Sequence, residues 1–98
     1  MRLSDKSLRV LAAFLSDPSI PLAGSDLFKL TKVGAGTLYP MLLRFEAQGW
    51  LDSEWEAIEP SLEKRPRKRF YKLTGEGRRE ASELLSQLRT IGGLQWAI

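Results

Sequence analysis

Neither cysteine nor histidine occurs among the 98 residues. Without cysteine there is no disulfide framework, so nothing points to secretion. There is also no thiol nucleophile, and without histidine no imidazole to serve as general base. Zinc and most other transition metals lose their usual sulfur and nitrogen ligands. No P-loop or dinucleotide-type glycine motif occurs; Gly34-Ala35-Gly36 has the glycines without the pattern. The carboxylates are scattered through polar stretches, with no pair in an apolar setting that would tune them for acid–base work. An enzyme is therefore not expected, nor any cofactor or metal. Apolar stretches are far too short to span a membrane. Met1-Arg2-Leu3-Ser4-Asp5-Lys6 lacks the apolar core of a secretion signal. No membrane partner and a cytoplasmic location are the expectations.

What is present is one domain's worth of chain, enough to bury one modest core. The net charge is only +3, but it is unevenly placed. Lys64, Arg65, Arg67, Lys68, Arg69 and Lys72 are six of the fifteen basic residues, and residues 64–72 contain no acid. Without that segment nine basic residues stand against twelve acidic ones, a net of −3. Just before it, Asp52, Glu54, Glu56, Glu59 and Glu63 form a run with no intervening base. Such asymmetry suits a local anionic partner better than general solubility.

Periodicity divides the chain. A first helix is expected over residues 4–16, capped by Ser4, with a stripe of Leu8, Leu11, Ala12 and Leu15, and ended by Asp17-Pro18. Ile20-Pro21-Leu22 allows a very short edge strand. A second short helix follows over 25–31, with Leu27, Phe28 and Leu30 as its apolar side, then a turn with two glycines from Thr31 to Gly36. The third helix covers 36–48, with Pro40 in its first turn, Leu38, Leu42 and Phe45 inward, Tyr39, Leu43 and Arg44 outward, and Gly49 closing it in a left-handed conformation. Two short helices joined by a glycine-containing turn form a helix-turn-helix. Residues 50–57 alternate as a strand, residues 67–73 form a second with Tyr71 and Leu73 on one face, and the two prolines between them favour a loop. A last helix over 75–91, capped by Thr74, carries Ala81, Leu84, Leu85, Leu88 and Ile91 as its stripe, and Gly92-Gly93 ends it. The expected fold class is mainly α with a small β-hairpin. Residues 1–74 are expected to form a winged helix-turn-helix DNA-binding domain, and residues 75–98 a C-terminal dimerisation helix and tail.

Gly36-Thr37-Leu38-Tyr39-Pro40, followed by Leu42, Arg44, Phe45, Glu46, Gly49 and Trp50, resembles the reading-helix stretch of PadR-type transcriptional regulators, with Phe45 where the family usually has leucine. Arg65-Pro66-Arg67-Lys68-Arg69-Phe70-Tyr71-Lys72-Leu73-Thr74, with Gly77 after it, is similar to that family's second wing strand. The resemblance runs from about residue 4 to residue 91. It implies a homodimer bound to an inverted-repeat operator, usually as a repressor. In some members a small aromatic ligand or drug releases the DNA. With a single helix after the wing, the chain is similar to the short-tailed members.

On helix-turn-helix geometry the start of the third helix meets base edges. Gly36, Thr37 and Tyr39 are the candidates there, against a capping role for Thr37 and neighbour packing for Tyr39. Lys32, with Lys29, flanks the turn as a candidate phosphate contact. Arg44 reads two ways, as a phosphate contact or as a partner of Glu46, and its place beyond the helix start favours the second. Lys64, Arg65, Arg67, Lys68 and Arg69 are candidates for phosphate or minor-groove contact, against the solvated face that is the usual fate of a charge run. The acidic run is either solvated or paired with the basic strand across the hairpin. Leu8, Leu11, Leu84, Leu85, Leu88 and Ile91 are the candidate dimer interface, against packing within one chain. Trp96 joins that interface, lines a ligand pocket, or lies in a free tail. The function expected is that of a sequence-specific regulator of transcription, nucleoid-associated. The rival is a winged helix that binds another protein, as an adaptor or antirepressor, and not DNA.

Overall fold

The computed structural model describes residues 3–90. Helix α1 (Asp5–Ser16) starts where expected: the Ser4 hydroxyl accepts the Ser7 N–H at 3.1 Å and Asp5 sits at the positive end of the helix dipole. Its buried face is broader than the expected stripe. Val10 and Phe14 are as deeply buried as Leu11, while Leu8 and the half-buried Ala12 and Leu15 form a second face. That second face packs on Leu84, Leu85 and Leu88 of α5 (Gly75–Thr90). A helix sandwiched on two sides needs two apolar stripes, and single-stripe periodicity shows one of them.

After α1 the chain forms β1 (Leu22–Ala23), α2 (Gly24–Thr31) and α3 (Ala35–Ala47). In α2 only Leu27 and the backbone-sized Gly24 face inward with Thr31; Phe28 and Leu30 are exposed, correcting the apolar side expected for this helix. The turn between the helices is also different in origin. Its left-handed residue is Lys32, at φ 61°, ψ 18°, with its N–H on the Phe28 carbonyl at 2.8 Å. The buried Thr31 hydroxyl donates to the Leu27 carbonyl and accepts the Val33 N–H, which closes the turn without either glycine. In α3, Leu38, Leu42 and Phe45 are buried as expected, joined by Met41. Gly49 ends this segment at φ +82°, where a side chain would be strained.

Strands β2 (Leu51–Trp55) and β3 (Arg69–Leu73) pair antiparallel, and β1 adds to the far edge of β3, in the order β1-β3-β2. Leu51 opposes Leu73, Ser53 opposes Tyr71 and Trp55 opposes Arg69, so these six share one face. Leu51, Tyr71 and Leu73 close the core beneath α3. The stretch between the strands is not simply a loop. Pro60 opens a single helical turn, α4 (Pro60–Glu63), where its missing N–H costs nothing, and Lys64 ends it in the left-handed region at φ 56°. Thr74 then links sheet to α5: its hydroxyl donates to the Gly49 carbonyl and accepts the Gly77 N–H. Gly77 lies directly against the Trp50 backbone carbonyl, where no Cβ would fit. Three helices, a two-strand wing and a return helix make a winged helix-turn-helix.

Candidate nucleic-acid interface

The exposed side of α3 carries Gly36, Thr37, Tyr39, Pro40, Leu43 and Arg44. This follows from the helix itself: with Leu38, Met41, Leu42 and Phe45 inward, the intervening residues face out. Gly34 and Gly36 have no atom within 4 Å of the position a Cβ would take, so the N-terminal end of α3 presents bare backbone. Tyr39 is 47% exposed, yet its ring lies close over Gly24, and a side chain at Gly24 would collide with its hydroxyl. The expected packing on a neighbour is thus present, and the ring still shows about half its surface.

The wing's cations have distinct surroundings. Arg65 meets Glu56 through both guanidinium Nη atoms, at 2.7 and 2.9 Å. The Arg65 guanidinium holds the Glu56 carboxyl down at about 2, with the Lys68 backbone N–H adding to the effect. Arg67 Nε donates to the Ile58 carbonyl at 3.0 Å. Arg69 turns inward. Its Nε and Nη2 donate to the Ser53 hydroxyl, which donates in turn to Glu46 at 2.6 Å, and its guanidinium lies over the rings of Trp55 and Tyr71. This chain of contacts ties α3 to both strands, so Arg69 braces the wing against the reading helix. Burial raises the Tyr71 phenol, and the Arg69 charge offsets part of that rise. Lys64 and Lys68 are exposed, and no carboxylate pairs with either among the described residues.

A groove of about 530 Å³ joins these parts. The start of α2, Tyr39, Trp55, Tyr71 and the wing from Arg65 to Arg69 line it. It brings together Tyr39, Arg65, Arg67, Lys68 and Arg69; Lys32, Gly36, Thr37 and Lys64 lie outside it. Sequence reasoning missed Trp55 and Ser25 as parts of this surface, and the 59% exposure of Trp55 is its signal. Trp55 shares the face of Leu51 and Tyr71, but the core stops short of it. The Arg44 side chain is exposed and has no ion pair or hydrogen bond among the described residues, and Glu46 instead meets Ser53 and Arg69; this corrects the expected pairing of Arg44. In the acidic run, Asp52 lies directly opposite Lys72, but the ion pair across the hairpin is Glu56 with Arg65.

The expected dimer set also divides. Leu11 is fully buried in its own chain's core and has no surface to offer a partner, which corrects its place in that set. Leu8 and Leu85 are buried against each other, at 8% and 5% exposure. Leu84 and Leu88 stay half-buried. Ile91 and Trp96 lie outside the described residues.

A winged helix with bare backbone at the head of its outward helix and unpaired cations on its wing is the architecture of a transcriptional regulator. The family model for PadR-like transcriptional regulators matches residues 25–83, and the chain belongs to that family. No curated protein matches the sequence. Among solved structures it is similar to a PadR-like transcription factor from Bacteroides fragilis (28% identity, TM-score 0.71, covering 89% of this chain and 85% of that one). A PadR family transcriptional regulator from Eggerthella lenta is similar too, at 29% identity and TM-score 0.71, over 89% of this chain and 78% of that one. BpsR of Bordetella bronchiseptica, whose DNA binding is regulated by 6-hydroxynicotinic acid, shares the fold at 21% identity and TM-score 0.69, over 95% of this chain and 68% of that one. No helix of the described residues is long and apolar enough to cross a membrane.

Proposed function

We propose that this chain is a sequence-specific DNA-binding repressor that grips an inverted-repeat operator as a homodimer in the bacterial nucleoid. The observation that carries this reading is the shared surface of α3 and the wing. Gly36, Thr37 and Tyr39 are exposed at the start of α3, where a helix in the major groove meets base edges. Beside them the exposed cations of the wing, with Lys32 at the turn, face the phosphates. In this reading residues 1–74 hold the DNA and residues 75–98 hold the second copy, through Leu84 and Leu88 with their half-buried neighbours Ala12 and Leu15. The unpaired cations favour DNA over a protein partner, since they leave the wing's charge uncompensated.

A small aromatic effector has a specific surface in its favour. The groove beside Tyr39 has Trp55 exposed and cations along its rim, and BpsR is a protein of this fold whose DNA binding answers to an aromatic acid. An occupant there would stand between α3 and the wing and displace the duplex.

Capture of genomic fragments by the purified protein at physiological salt, followed by sequencing, tests the main reading. An inverted repeat with half-sites about one helical turn apart is the expected result. Enrichment without sequence preference overturns the sequence-specific reading, and no enrichment at all leaves the protein-binding winged helix in its place.

A further inference from the structure

The ladder between β2 and β3 ends at Trp55 and Arg69, and beyond it, beside the Arg67–Ile58 bond, the wing is held by Glu56. The Glu56 N–H donates to the Lys68 carbonyl at 2.8 Å, and the Glu56 carboxylate accepts the Lys68 N–H at 3.2 Å. The same carboxylate takes two guanidinium donors from Arg65. Three N–H groups from two residues therefore converge on one side chain, which is only 19% exposed. Exposed ion pairs as a class contribute little. The exceptions are bidentate arginine–carboxylate pairs within a network, and Glu56 is one of these.

We propose that Glu56 is a positioning residue that withdraws Arg65 from phosphate binding and staples the wing, leaving Lys64, Arg67 and Lys68 to meet the duplex. The proposal rests on the reading of this face as a DNA-binding surface. A phosphate reaching Arg65 has to displace a carboxylate already bound in the fork geometry that a phosphate would use. Lys64 and Lys68 hold no carboxylate, and Arg67 spends its Nε on a neutral carbonyl and keeps its full charge. Arg69 is turned to Ser53 and Glu46. Of the five cations between residues 64 and 69, three thus remain for DNA. At about 0.9 per phosphate contact they add about 2.7 per protomer to the steepness, that is the magnitude of the negative slope, of log K against log salt.

The test measures that steepness on a duplex of arbitrary sequence for the intact chain and three variants. Lys68→Gln should lower it by about 0.9; Arg65→Gln alone uncovers the Glu56 carboxylate, so the neutral test is to remove both partners of the pair. Glu56→Gln should raise it by about 0.9 as Arg65 is released, and the Glu56→Gln/Arg65→Gln double variant should return it to the starting value. A fall in the double variant equal to that with Lys68→Gln overturns the proposal. Amide hydrogen exchange gives a readout without DNA: in Glu56→Ala the Lys68 amide should lose its protection, and unchanged protection overturns the staple. If the unmodified chain shows no salt-dependent binding at all, the DNA reading is what fails, and the exchange result alone then decides whether the staple exists.

Discussion

Gly36 lies in the first turn of α3 with open space where a Cβ would point, and its φ is not positive. Neither the turn nor the packing needs glycine there; the turn's left-handed residue is Lys32. Replacing a helical glycine by alanine gains up to about 1 kcal/mol, so Gly36→Ala should raise the stability of the fold in urea unfolding. It should also weaken operator binding, because the added methyl stands on the surface proposed to approach the bases. A stabilised variant with undiminished affinity would remove Gly36 from the interface. At Glu56 the prediction is one of pH. Its pKa is lowered from 4.5 to about 2, first by the Arg65 hydrogen bond and then by Lys68, while Arg65, itself raised by Glu56 and Glu63, stays charged. A lowered carboxylate pKa means that the folded wing favours the ionised form. The staple is therefore fully present above about pH 4.5 and is lost as pH falls toward 2. Titration of the Glu56 carboxyl carbon by NMR checks this, and a midpoint at the ordinary glutamate value would refute the bidentate pair in solution.

Among the elements, α3 was the most legible, because one buried face and one outward face give a single clear stripe. Leu42 and Leu43 make the contrast measurable. Leu42 is fully buried and Leu43 is 61% exposed. Leu42→Ala should cost about 2–5 kcal/mol of stability through a core cavity. Leu43→Ala should stay within about 0.5 kcal/mol and should act on DNA affinity instead. Thermal unfolding together with operator binding separates the two; a large loss of stability at Leu43 would mean that α3 is rotated from this orientation. Elements with two masters were less legible. Helix α1 serves the core through Val10, Leu11 and Phe14 and serves α5 through Leu8, and a one-stripe reading kept Leu11 and Leu8 together as interface. In the wing, two prolines suggested irregular chain, but Pro60 begins a helical turn and Glu56 and Arg65 close the base. Such long-range pairing has no periodic signal. The charge run from residue 64 to residue 69 was plain in the sequence; which of its members spend their charge internally was not, since that depends on what the sheet register places opposite them.

For the molecule as a whole, in the proposed complex one α3 in one major groove would read a short stretch of base pairs, and a second copy at about 34–36 Å would extend the reading to a second half-site. Two joined reading heads gain roughly 10²–10⁴ over one through effective concentration. Among the described residues the surface proposed to join them is narrow. Leu11 is spent in the core and Leu8 and Leu85 on each other, so among the described residues Leu84 and Leu88, flanked by Leu3, Ala12 and Leu15, carry the apolar area left near α5. Replacing both with serine should yield a chain that elutes as a monomer in size-exclusion chromatography with its helical circular dichroism retained. Its affinity for a single half-site should match that of the unmodified protein, and its affinity for the paired operator should fall by about 10²–10⁴. Loss of affinity for both targets would indicate that α5 props the reading surface itself through α1. A variant that still elutes as a dimer would place the joining surface elsewhere, and the half-buried leucines of α5 would then be no more than the outer edge of the chain's own core.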